Sequence, residues 1–338
     1  MRSDGKKPGS VPGTTAVAWE WVTEQEPADP LAGTDIDDDS DAVTANADDY
    51  STAFAFVQSL AAELSRGRVD LPTCPEVASG VRQALDGADE LSNTMVTRVI
   101  ASDAGLAANV LALVNARQGA AGRGASAPLR RPIVDLKLAV TRVGPDNVRS
   151  AALPYVLEKL DSARSQAHIR DDLATLWERS TMVAAIARVL AGHTRAAPPD
   201  VALLAGLLHN VGSVYLLARS EKHLELFRNP AIRDLLLRDW QASIGKAIAQ
   251  NWGLPDEIAD AIGDQDQFDR HEAGARDLTD VLCVAVRAAS FVDRPDELEI
   301  ALGSLPLFRR LGLGREALHA AMSEAAAEIA RLRTALGH

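Results

Sequence analysis

Leu204-Ala205-Gly206-Leu207-Leu208-His209-Asn210-Val211-Gly212 is the stretch whose reading decides the fold. It follows Pro198-Pro199 and Val201, so a helix opening at the prolines and apolar on nearly every face is expected over Val201–Ala218. Gly212 is expected to divide it into two shorter helices. A titratable ring directly after so apolar a turn must be hydrogen-bonded, ligated or put to use, because an unsatisfied buried polar group is costly. His209 is therefore the first candidate functional residue. The other six histidines, His168, His193, His223, His271, His319 and His338, stand in polar or terminal contexts.

On either side the apolar period is helical. Upstream, helices are expected from about Ser51 to Gly67, over 75–86 and 92–102, and over Ala104–Arg117 with Asp103 as N-cap. Further helices are expected over Pro132–Val143, stopped by Gly144, and over Val148–Leu160 and Arg170–Leu190. Downstream they are expected over 229–238, 240–252, 255–263, 277–293, 296–302 and 315–336. No alternating strand pattern and no repeat of supersecondary length occurs. The chain reads as all-α.

Composition agrees. Of 338 residues 47% are hydrophobic but only 4% aromatic, so the core is built mainly of Ala, Leu, Val and Ile, and an all-β fold is excluded. The net charge of -12 is uneven. Residues 1–50 hold twelve acidic and three basic side chains, including the acidic run Asp35–Asp41. Such a segment cannot bury enough apolar surface to order itself, so it is expected to be a disordered acidic arm. Trp19 and Trp21 within it are either an accident of a flexible tail or a short motif for docking a partner. Acidity in the arm and a nearly balanced body argue against binding a nucleic acid polymer.

Residues 117–131 form a Gly/Ala loop carrying Arg117, Arg123, Arg130 and Arg131, which is either an anion-binding loop or a solvated connection. Cys74 and Cys283 are far apart and neither belongs to a CxxC pair, which fits a reducing, cytoplasmic setting without disulfides. No apolar run of about 18 residues was found, so no membrane insertion is expected. The chain has no Walker phosphate loop, no GxGxxG, no HExxH and no GxSxG elbow.

Five segments, in order, resemble the HDOD family, the catalytically degenerate relatives of the HD superfamily of metal-dependent phosphohydrolases. They are Leu71-Pro72-Thr73-Cys74-Pro75; Ile100 to Asp103 with Leu106, Leu111 and Asn115-Ala116; Trp177-Glu178-Arg179-Ser180; Gly206 to Gly212; and Asn251-Trp252-Gly253-Leu254-Pro255-Asp256. The resemblance covers about residues 68–266. It implies an N-terminal helical half (about 51–165), an HD-like half (about 166–270) and, beyond the family, a C-terminal helical extension (271–338) that caps the domain or mediates self-association as a homodimer. Trp177 and Trp252 read as large core anchors where helices cross. The residues ahead of it are expected to form an arm and not a receiver or cyclase domain.

The departures from the family pattern bear on function. The His-Asp pair of a hydrolase is here His209-Asn210, and an amide is a poorer metal ligand. Arg179 stands where a catalytic relative carries His. Gln241-Ala242-Ser243 and Gly263-Asp264-Gln265-Asp266 replace further ligand positions. The resemblance therefore implies a degenerate pocket of Arg179, His209, Asn210 and Gln241, with no metal or cofactor. Arg179 or Asn210 would be the partners of the His209 ring. Three functions are open: a non-catalytic regulator acting through a signalling protein partner in bacterial signal transduction; a cyclic-dinucleotide effector using the loop arginines; and a residual phosphohydrolase recruiting Asp264 or Asp266.

Overall fold

The computed structural model describes residues 47–66, 69, 71–86, 92–121, 132–162, 167–270, 275–292, 294–303 and 306–335. Among them there are helices and no strand. In order they are α1 (Ala47–Leu64), α2 (Pro75–Asp86), α3 (Asn93–Ile100), α4 (Ala104–Ala121), α5 (Leu136–Val143) and α6 (Pro145–Ser162). Then come α7 (Arg170–Thr194), α8 (Pro199–Leu208), α9 (Val211–Ala218), α10 (Leu224–Arg228) and α11 (Pro230–Leu235). The last are α12 (Gln241–Asn251), α13 (Asp256–Gly263), α14 (Leu278–Ala289), α15 (Pro295–Gly303), α16 (Pro306–Arg310) and α17 (Arg315–Ala335).

Helix α7 is the centre, packed by α8, α14 and α17. Its buried face is small: Ala184, Ala185 and Ala187 lie among Val183, Ile186 and Leu190. This lets α8 come close. A Cβ on Gly206 would sit 2.5 Å from Ala184 Cα, so only glycine fits there. Every residue of α8 from Val201 to Leu208 is buried. Burying each of its leucines is worth about 1.5–3 kcal/mol.

The predicted helix over Val201–Ala218 is indeed two, but it divides at His209-Asn210 and not at Gly212. Gly212 lies inside α9 because α12 crosses there: a Cβ would meet Gln241 O at 1.9 Å. The 20 residues Pro199–Ala218 are long and apolar enough to cross a membrane, but 89% of their most apolar 18-residue window is buried inside the protein.

Several family-motif residues satisfy backbone groups that chain breaks would leave unpaired. Asp103 caps α4, accepting from Leu106 N at 2.7 Å. Asn115 clamps the extended chain before α5, donating to Ile133 O at 3.0 Å and accepting from Ile133 N at 2.8 Å. That clamp and the Asp135 N-cap make α5 begin at Leu136, not Pro132. Trp177 Nε1 donates to Ser102 O at 2.7 Å and Trp252 Nε1 to Val69 O at 3.0 Å, so both rings anchor helices to distant chain.

Helix α1 packs against α11 and α12, with the Phe54 and Trp240 rings 5.9 Å apart, although sequence order places it with the N-terminal half. It also starts at Ala47, inside the stretch read as arm. The C-terminal segment shares the same core: α14 and α17 lie on α7. Fully buried Asp280 on α14 accepts from Arg270 at 2.9 Å and from Arg310 of α16 at 2.7 Å. The two short helices α10 and α16 were not foreseen.

These close approaches predict a contrast between two glycines. Gly212→Ala should lower the urea-unfolding free energy by about 3 kcal/mol, at the upper end of overpacking costs, because backbone would have to move. Gly192→Ala, exposed on α7 with no heavy atom near the added Cβ, should gain up to about 1 kcal/mol. Equal effects at the two sites would refute the close crossing of α9 and α12.

Candidate functional site

A cleft of about 330 Å³ opens where α7, the α8–α9 junction, α12 and the turn after α13 meet. Arg179, His209, Asn210 and Gln241 all line it, together with Gln265 and Asp266. One wall is a π-helical turn, Leu236–Trp240, whose Leu237 and Arg238 face the same space. A smaller recess beside it is lined by Thr73, Cys74, Asp103, Trp177, Ser180 and again Asn210, so three family segments converge on that residue.

Asn210 is occupied by α7. Its Oδ1 accepts from Ser180 Oγ at 2.7 Å and its Nδ2 donates to Leu176 O at 2.9 Å. An aspartate could take the first bond but not make the second. The amide is thus the side chain this junction needs.

His209 does not bond Arg179 or Asn210, as the resemblance had implied. Its Nδ1 lies 2.7 Å from Gly206 O. A carbonyl only accepts, so in the neutral ring Nδ1 carries the hydrogen and Nε2 keeps its lone pair. Nε2 is buried and has no partner among the described residues. Burial pushes the imidazole down to about 4, helped by Arg179, while the Gly206 bond opposes the shift. The ring is neutral at pH 7.

Gln265 is fully buried, and its Nε2 donates to His209 O at 2.8 Å and to Ile262 O at 2.7 Å. Two carbonyls fix the amide's orientation, so Oε1 is an acceptor, and it too lacks a partner. Gln241 Oε1 is in the same condition. Among the described residues Arg179 reaches only Ser290 Oγ, at 3.4 Å, and burial pulls its guanidinium below its ordinary basicity, against the pull of Asp266. Sequence reading noted Gln265 only as the replacement of a ligand position; its burial was not visible in a polar run of Gly, Asp and Gln.

The divalent metal implied by the HD relationship does not fit these residues. Asn210 Oδ1 is turned to Ser180, and a permanent cation, Arg179, lines the cleft. Asp266 lines it, but Asp264 lies away from it, toward Lys246 and Arg270. Among the described residues no three His, Cys, Asp or Glu side chains are grouped to hold a metal ion. Both cysteines are buried thiols, Cys74 pushed up to about 11 and Cys283 to about 12, chiefly by burial. Arg123, Arg130, Arg131, Trp19 and Trp21 lie outside the described residues, as does the side chain of Arg117, although α4 continues past it to Ala121.

Comparison with known families gives a match to the HDOD domain over residues 71–268. The chain belongs to the HDOD domain family. An uncharacterized protein of Treponema pallidum (strain Nichols) is 29% identical over 219 residues, which are 60% of this chain and 39% of that protein. The chain therefore spans well under half the length of that relative. Among solved structures, the MmoQ response regulator of Methylococcus capsulatus str. Bath is similar in fold, with a TM-score of 0.56 and 24% identity over 75% of this chain and 98% of that one. Within this HDOD chain four of the five family segments thus line the space around one buried amide and one neutral imidazole.

Burial of His209 sets a pH dependence. The unfolded ring titrates near 6.5 and the folded one near 4, so between these values the unfolded state binds more protons. Stability is unaffected above 6.5 and falls as pH drops toward 4, by on the order of 3 kcal/mol. Urea unfolding of the parent and of His209→Gln across pH 4–7 should show a flatter profile for the variant. Parallel profiles would contradict a buried, neutral His209.

Proposed function

We propose that this HDOD protein is a regulator that binds and does not hydrolyse, acting in bacterial signal transduction through contact with a signalling protein partner. The observation that carries this reading is the Asn210 amide. Where a hydrolase would present a carboxylate to a metal, this chain holds an amide between Ser180 and Leu176 on α7. Arg179 and the neutral Gln241 and Gln265 deny the metal its remaining ligands. The fold shared with a protein described as a response regulator supports a signalling role. A soluble, cytoplasmic setting accords with the buried free thiols.

The residual-phosphohydrolase reading is weakened by the same geometry, since Asp264 does not line the cleft and Asp266, which does, shares it with the permanent cation Arg179. The cleft also works against a phosphate there. Its lining is mainly neutral or apolar, and Arg179 shares it with the carboxylate of Asp266. A cyclic dinucleotide would have to keep its phosphates outside the cleft.

Purified protein supplied in turn with Mn²⁺, Ni²⁺, Fe²⁺ and Zn²⁺ should not turn over bis(4-nitrophenyl) phosphate. Nor should Asn210→Asp, which restores the carboxylate without the other ligands. That variant should instead be destabilised by about 1–3 kcal/mol or more, because it leaves Leu176 O unpaired and buries a charge. Metal-dependent turnover by either protein would overturn the reading.

A further inference from the structure

The seam between α7 and α14 carries a patch of cations and rings at the rim of the cleft. Arg179 of α7 donates from Nη2 to Ser290 Oγ at 3.4 Å, and Phe291 follows Ser290. Arg287, one turn before Phe291 and next to the cleft-lining Val286, has its Cζ 5.1 Å from the centre of the Phe291 ring and 5.9 Å from that of Phe268. Arg294 also lies over Phe291, at 5.0 Å, but Glu297 matches its charge at 2.8 Å. Arg179 and Arg287 have no such match: neither forms an ion pair with a described residue. The one hydrogen bond of Arg179 is the long one to Ser290, and Arg287 Nε is buried with no partner among the described residues. Burial penalises the Arg179 charge, and Asp266 attracts it only from beyond ion-pair distance. Two partly desolvated guanidinium groups beside aromatic rings are matched by a ligand that brings both carboxylates and further rings.

The chain itself contains such a segment, and it joins the body beside this cleft. Asp49, in the first turn of α1, accepts from Asn229 Nδ2 at 3.4 Å, and Phe54 of α1 meets Trp240 of the π-helical turn. That turn is a wall of the cleft through Leu237 and Arg238. Residues 1–46, which lie outside the described residues, therefore meet the body at the cleft wall. They hold ten acidic and three basic side chains, and their aromatic residues are Trp19 and Trp21, interleaved with and followed by Glu20, Glu24 and Glu26. We propose that the segment Trp19–Glu26 of the chain's own arm docks on the Arg179–Arg287 patch and covers the mouth of the cleft, an autoinhibitory contact that a signalling partner displaces. The contact stands by itself, while its regulatory meaning rests on the partner-binding reading above. The three glutamates supply the carboxylates that Arg179 and Arg287 lack, and indole is the ring that binds a guanidinium best. Asp266 repels a carboxylate, so the arm's acids lie on the Ser290 side of Arg179. The run Asp35–Asp41 has charge but no ring, which makes it the connection and not the ligand. From Glu26 to Ala47 the chain can span up to about 70 Å when extended. Such a tether gives an effective concentration on the order of millimolar, so contacts too weak to hold a free peptide hold the arm.

The test is hydrogen–deuterium exchange, read by mass spectrometry on the full chain at pH 7, for the parent, Arg179→Met and the double variant Trp19→Ala with Trp21→Ala. In the parent at low salt, residues 19–26 should exchange at least about tenfold more slowly than the same synthetic peptide alone. The protection should fall at about 0.5 M NaCl, where the charges are screened. It should be lost in Arg179→Met and in the double variant. In the double variant residues 287–292, no longer covered, should exchange faster than in the parent. Exchange of residues 19–26 at the free-peptide rate in the parent overturns the proposal, as does protection that survives in Arg179→Met. Protection that disappears on dilution assigns the patch to the arm of a second copy and overturns docking within one chain. Where Arg179→Met does not fold, the double variant decides alone, and unchanged exchange at residues 287–292 overturns the proposal. None of these results touches the non-hydrolytic reading, which falls only to metal-dependent turnover.

Discussion

The close approach of α8 to α7 is the constraint on which the rest depends. Gly206 lies against the Ala184 backbone with no space for a side chain, so the two axes are fixed along a seam of glycine and alanine. The seam ends where α8 stops, and there the chain must turn while still buried. His209 and Asn210 occupy that turn. Each gives part of its side chain to the structure: the imidazole to Gly206 O, the amide to Ser180 and Leu176. What remains, the Nε2 lone pair, is buried without a partner among the described residues. The site is a consequence of how two helices are packed.

Most of the fold could be read from the chain because its helices are strongly periodic and bounded by Pro, Gly and Asp. Asp103, Gly144 and Pro75 mark ends that the structure reproduces. Legibility failed where tertiary contacts override local signals. Gly212 looks like a breaker, yet it is inside α9, because what requires glycine is the Gln241 carbonyl of another helix. Residues 132–135 carry no sign that Asn115 will hold them extended. Helix α1 precedes the N-terminal half in sequence and packs with the other half.

The pocket residues were found through resemblance, and their roles were only partly legible. Sequence order brought Arg179, His209, Asn210 and Gln241 together, and the fold does gather them around one cleft. Hydrogen-bond direction is not written in a sequence. That Asn210 faces α7, and that His209 bonds a carbonyl three residues back, follow from the turn geometry. The substitutions compensate one another. An aspartate at 210 would bury an unpaired charge without a metal, and Arg179 supplies in the chain itself a positive charge that faces Asp266.

The central claim is that Asn210 has become a structural bridge to α7. A double-mutant cycle of Ser180→Ala and Asn210→Ala, followed by urea unfolding at pH 7, measures that bridge directly. The account predicts that each single change destabilises the protein and that the two effects are non-additive, with a coupling of about 1 kcal/mol. Additive effects within about 0.3 kcal/mol, with Asn210→Ala as stable as the parent, would contradict it.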